Sequence, residues 1–100
     1  MDNELYNDPE FQALIRRYLD YLLKEVAKVK ISIQNSNFQE IRKFSHNLKG
    51  TGGGYGFDNF TDFGGKINEA AHAENIQSVE SFVSEFELDL ATAVQQFNQD

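Results

Sequence analysis

Residues 8–34 read DPEFQALIRRYLDYLLKEVAKVKISIQ. Asp8-Pro9-Glu10 is a helix start, with Asp8 as N-cap and Pro9 at the first helical position, where its missing N–H costs nothing. Phe11, Leu14, Tyr18, Leu22, Val26, Val29 and Ile33 then recur at three- and four-residue steps, which predicts one long amphipathic helix ending at about Gln34. Pro9 is the single proline of the chain, so no helix after it is broken by another.

Outward from this helix the pattern repeats. Asn35-Ser36-Asn37 breaks it, and Asn37 with Glu40 three residues on has the form of a capping box for a second helix carrying Phe38, Ile41, Phe44, Leu48 and Tyr55. After Gly56-Phe57, Asp58 is expected to cap a third helix with Phe60, Phe63, Ile67 and Ala70 or Ala71 facing inward, fading near Asn75. Ser78 is expected to open a fourth, in which Val79, Phe82, Val83, Phe86, Leu90, Ala93, Val94 and Phe97 keep the helical period. Connections this short join antiparallel neighbours. The expected fold is therefore all-α: one domain over residues 1–100, an antiparallel four-helix bundle with its core at about residues 10–97 and room for a short extra N-terminal helix.

Nine basic against sixteen acidic side chains give a net charge of −7, which argues against nucleic acid and against an anionic membrane as partners. The lack of cysteine removes disulfides, thiolate chemistry and zinc–thiolate sites together. No apolar run approaches the roughly 18 residues that span a bilayer. Met1-Asp2-Asn3-Glu4 does not read as a signal peptide, and the expectation is a soluble cytoplasmic protein.

All seven glycines fall between Gly50 and Gly65, five of them within Gly50-Thr51-Gly52-Gly53-Gly54-Tyr55-Gly56, directly after His46-Asn47-Leu48-Lys49. Glycine inside a helix costs about 0.5–1 kcal/mol relative to alanine, so the cluster is a local penalty that access or packing must explain. With Phe38 at zero and about 100° per residue, Ile41, Phe44, Leu48 and Tyr55 fall between about 240° and 300°, and His46 near about 80°. The histidine therefore faces outward. The same count places Lys49 near about 20°, Arg42 about 40°, Gly53 about 60°, Gly50 about 120° and Lys43 about 140°, so the imidazole is flanked by cations and glycines. Lys49 at i+3 and Gly50 at i+4 share its patch, one supplying an ammonium and the other removing a side chain. A phosphoryl group on His46 would find counter-charge and room there, and bare Gly50 and Gly53 would let a partner approach.

Other chemistries fit less well. A phosphate-binding loop needs its lysine after the glycines, whereas Lys49 precedes them, and no Gly-x-Gly-x-x-Gly is present. His72 lies off the third helix's apolar stripe, and no ligand spacing joins it to His46, so His72 reads as a solvated surface residue and no metal site is expected.

Ser45-His46-Asn47-Leu48-Lys49-Gly50, with Gly56 ten positions after the histidine, resembles the His-x-x-Lys-Gly signature of histidine phosphotransfer (HPt) domains. The likeness extends over about residues 10–97 in the long helix ahead of the histidine helix, the Asn35-Ser36-Asn37 turn and the Phe60, Phe63, Ile67 stripe. It implies a phosphocarrier that takes a phosphoryl group from the aspartyl phosphate of one receiver domain onto His46 and passes it to another, with Lys49 offsetting charge. The implied partners are response-regulator receiver domains and a hybrid or chemotaxis-type histidine kinase. The carrier itself would be a monomer with no cofactor and no ATP site, magnesium belonging to the receiver. The glycine-heavy run after Gly50 is also similar to the N-terminal phosphoryl-accepting domain of chemotaxis-type kinases, which is the second reading. In those domains a glutamate on the next helix polarises the imidazole; by spacing, 22 residues after His46, that position is Asn68, with Glu69 beside it. An amide can orient the ring without raising its nucleophilicity, which favours the relay role. A third reading is an adaptor that binds receivers without being phosphorylated.

Overall fold

The computed structural model describes residues 8–97, which form four helices and no strand: α1 (Pro9–Gln34), α2 (Phe38–Thr51), α3 (Asp58–His72) and α4 (Ile76–Phe97), with a 3-10 turn, Gly53–Tyr55, between α2 and α3. The short N-terminal helix anticipated from the sequence lies outside the described residues. Neighbouring helices pack around the bundle, α2 most closely on α3. The 26 residues of α1 span most of a molecule measuring 41 × 22 × 17 Å. No described helix is long and apolar enough to cross a membrane.

Asp8 caps α1 as its sequence implies, its carboxylate accepting the Glu10 N–H at 2.9 Å. The buried face of α1 is Ile15, Tyr18, Leu19, Leu22, Val26, Val29 and Ile33. Leu14, expected inside, is 45 % exposed. Because α1 packs between α2 and α4, its buried arc centres on Ile15 and Leu19 and turns Leu14 to the rim. The core closes around Phe86 of α4, which the rings of Phe60, Phe63 and Phe44 meet edge-on at 5.0, 6.0 and 6.2 Å.

Two turns at one end of the bundle share a design. Ser36 and Glu74 adopt left-handed backbone (φ 52° and 53°), and the next N–H reaches back five residues, Asn37 to the Ser32 carbonyl and Asn75 to that of Ala70. Each asparagine then caps the next helix: Asn37 accepts from the Glu40 N–H at 3.3 Å, and Asn75 from the Ser78 N–H at 3.2 Å. Asn75 therefore opens the fourth helix three residues before Ser78, the expected start, because the turn that ends α3 already supplies the cap. Half of the anticipated capping box forms at Asn37, whose own N–H is taken by Ser32.

The junction between α2 and α3 departs furthest from the periodic pattern. α2 stops at Thr51, so Tyr55 belongs to the 3-10 turn, where its ring stacks on Tyr18 at 4.1 Å. Gly56 closes the turn at φ 90°, a conformation that L side chains rarely adopt. Phe57, not Asp58, holds the N-cap position of α3, with Asp58 the first helical residue. The Phe57 ring stacks on Phe60 at 4.6 Å and meets Phe97 at 5.8 Å, so packing sets the chain's path into α3 and no side-chain cap forms.

Candidate functional site

α2 presents His46, Lys49 and Gly50 to solvent, all three exposed, while Ile41, Phe44, Ser45 and Leu48 are buried. The outward direction read from the helical period is thus the observed one for His46. Arg42 is half-buried and Lys43 exposed, and Lys43 lies 3.4 Å from Glu40 in an exposed ion pair of little energetic weight. Neither Arg42 nor Lys49 has an ion-pair partner among the described residues.

What fixes this surface is a row on α3 at successive i+4 steps, Phe60, Gly64, Asn68 and His72, running antiparallel along α2. At Phe60 the partner is Gly52, where a Cβ would come within 2.7 Å of the Phe60 Cβ. Gly64 is buried against Lys49, and a Cβ on it would strike the Lys49 backbone. Asn68 donates from Nδ2 to Ser45 Oγ at 3.0 Å and to the Arg42 carbonyl at 3.4 Å. Ser45, fully buried, donates its own O–H to the Arg42 carbonyl at 3.1 Å. The backbone that carries His46 and Lys49 is therefore pinned from beneath at Arg42, Ser45 and Lys49, and the His46 and Lys49 side chains rise from a fixed base.

The C-terminal end of α2 is tied by two threonines. Thr61 accepts the Gly53 N–H at 2.9 Å and donates to the Lys49 carbonyl at 3.1 Å. Thr51 donates to the Asn47 carbonyl at 2.9 Å, which leaves the Tyr18 phenol as donor in the 2.7 Å contact between the two hydroxyls. Burial pushes the Tyr18 phenol above its ordinary range, against the opposing effect of Thr51, and keeps it a protonated donor.

The structure sorts the glycines by role. Gly52 and Gly64 permit close helix approach and Gly56 permits the left-handed turn. A Cβ on Gly50 or Gly54 would meet nothing within 4 Å. Gly53, expected beside His46 on a continuous helix, is turned toward α3 because α2 has ended. Its Cβ direction meets Asp58 Oδ1 at 3.4 Å and Thr61 Oγ1 at 3.5 Å.

Asn68 borders the same depression as His46, but both N–H donors of its amide are spent on α2. Glu69 borders a different depression, with Lys66 and Ala70. His72, read from the sequence as a solvated residue without a role, is exposed yet borders the same shallow depression as Arg42, Lys43, His46 and Asn68. The spacing of Gly64, Asn68 and His72 by four was the available signal for this row. It is masked in the sequence because none of the three is large and apolar.

Compared with protein-family models, curated proteins and solved structures, the chain matches none.

Proposed function

We propose that the protein is a histidine phosphotransfer carrier in which His46 takes a phosphoryl group from a receiver-domain aspartate and returns it to another. One observation carries the reading: an exposed imidazole on a rigidly backed helix, with Lys49, unpaired among the described residues, one turn away and open space over Gly50. A neutral ring nitrogen attacks the phosphorus of the acyl phosphate. The N–P bond forms as the O–P bond breaks, the electron pair leaves with the aspartate carboxylate, and the ring sheds its other proton to solvent. Transfer of this kind needs alignment and charge compensation more than covalent help from the protein, and a helix pinned from beneath with a free ammonium supplies both. A receiver also needs somewhere to rest. Leu14 (45 % exposed) and Tyr21 (44 %) flank Asn47 on the α1 side of α2, an apolar margin within reach of a domain covering His46.

Receiver domains of the same organism, charged with labelled aspartyl phosphate, are expected to lose label to this protein as acid-labile phosphate. No uptake from any of them would sink the reading. Lys49→Ala should slow transfer by about 10- to 1000-fold, the range for loss of one well-placed charge, with much less effect on binding of the unphosphorylated receiver. Equal transfer rates would remove the lysine from the chemistry.

A further inference from the structure

The depression beside His46 contains a second imidazole that the carrier reading leaves without a task. His72 is the last member of the α3 row that lies along α2, and its Nδ1 is 3.2 Å from the carbonyl of Asn68, one turn back. That contact requires the proton on Nδ1 and leaves Nε2 as the free nitrogen. The side chains bordering the depression are Gln39, Arg42, Lys43, His46, Asn68 and His72, and none is a carboxylate. Glu69, on the same helix, borders the depression on the other side of α3, and Glu40 on α2 is engaged with Lys43 at 3.4 Å. In a protein of net charge −7, this is a locally cationic hollow holding two histidines.

We propose that His72 is a positioning residue for the phosphoryl group on His46, a role that rests on the carrier reading above. With Nδ1 held by the Asn68 carbonyl, a neutral His72 offers the hollow only the Nε2 lone pair, which phosphoryl oxygens repel. Protonation converts Nε2 into a charged donor, and it then binds a phosphoryl oxygen across the hollow. The coupling is reciprocal: phosphate on His46 favours protonation of His72, and protonation of His72 favours phosphate on His46. This fixes the sign of the pH dependence. Charge on His72 makes the carrier hold its phosphoryl group more strongly against the receiver, and loss of that charge on raising the pH makes it release the group more readily.

The test is an NMR titration of the His72 ring in the full chain, before and after phosphorylation of His46 with phosphoramidate as a small-molecule donor. Phosphorylation is expected to move the His72 midpoint up by about half a unit or more, a threefold or greater coupling. Coincident midpoints would overturn the proposal. In exchange with one receiver, the ratio of phospho-His46 in the native protein to that in His72→Gln should fall from about threefold at pH 6 to unity at pH 8, again half a unit of coupling. His72→Arg should stay at the higher level at both pH values. A ratio independent of pH, or failure of arginine to rescue, would reduce His72 to a structural residue. If neither phosphoramidate nor any phosphorylated receiver places phosphate on His46, the carrier reading itself fails. Label on His46 with an unmoved His72 midpoint would fail only this inference.

Discussion

His46→Gln is expected to abolish acid-labile phosphate on the protein while moving its melting temperature by no more than about 3 °C. The side chain is exposed and makes no hydrogen bond to another described residue, so its removal leaves no buried group unpaired. Glutamine is a good helix former of similar reach, and the surrounding contacts at Arg42, Ser45 and Lys49 involve backbone and neighbours that the substitution does not touch. What disappears is the one nucleophile on the pinned face of α2, and an amide nitrogen cannot replace it. His72 offers no equivalent setting, since the positions three and four residues on are Asn75 and Ile76 instead of a lysine and a glycine, and its Nδ1 is engaged with the Asn68 carbonyl. Phosphopeptide mapping under alkaline conditions checks the result. Label remaining in the variant, or label found on His72 in the native protein, would displace His46 from the mechanism.

The parts of this architecture legible in the sequence are those governed by local rules. The 3.6-residue period placed the four helices, Asp8-Pro9 and Asn37 marked two starts, and the angular count turned His46 outward, because each depends only on residues within a turn or two. Apart from the start of α4, which a local turn moved from Ser78 to Asn75, the misplaced features share one cause, a tertiary contact overriding a local signal. Phe57 took the cap position from Asp58 because its ring packs on Phe60 and Phe97, and Leu14 lost its place in the core to Ile15 because α4 as well as α2 lies against α1. Gly53 left the face of His46 when the Thr61 hydroxyl bound both its N–H and the Lys49 carbonyl and ended α2 early. Ser45, Thr61, Gly64 and His72 were given no site role from the sequence for a related reason. Each is small or polar, and each acquires meaning only once α3 is laid beside α2.

Gly64→Ala is expected to destabilise the protein by about 1–3 kcal/mol, whereas Gly50→Ala should stabilise it by up to about 1 kcal/mol, although both put the same methyl group on a helix. Propensity alone favours alanine at both positions, so the opposite signs isolate packing. At Gly50 the new Cβ meets nothing within 4 Å and the helix simply becomes a better helix. At Gly64 the obstacle is the Lys49 backbone, which cannot rotate out of the way as the end of a flexible side chain would, so α2 and α3 must separate. That separation acts on function as well, because Asn68, one turn further on, holds Ser45 and the Arg42 carbonyl under His46. Phosphoryl transfer by folded Gly64→Ala should therefore fall by an order of magnitude or more, roughly the cost of shifting reacting groups by about 1 Å. Gly50→Gln should separate the two effects from the other side, keeping the fold while a side chain over His46 blocks the receiver. Thermal melting beside a transfer assay reads all three variants, and a stability change of 1 kcal/mol corresponds to about 4–8 °C in a domain of this size. A Gly64→Ala protein melting at or above the native temperature would show that the α2–α3 contact has slack, and undiminished transfer in Gly50→Gln would place the receiver's approach elsewhere on the bundle.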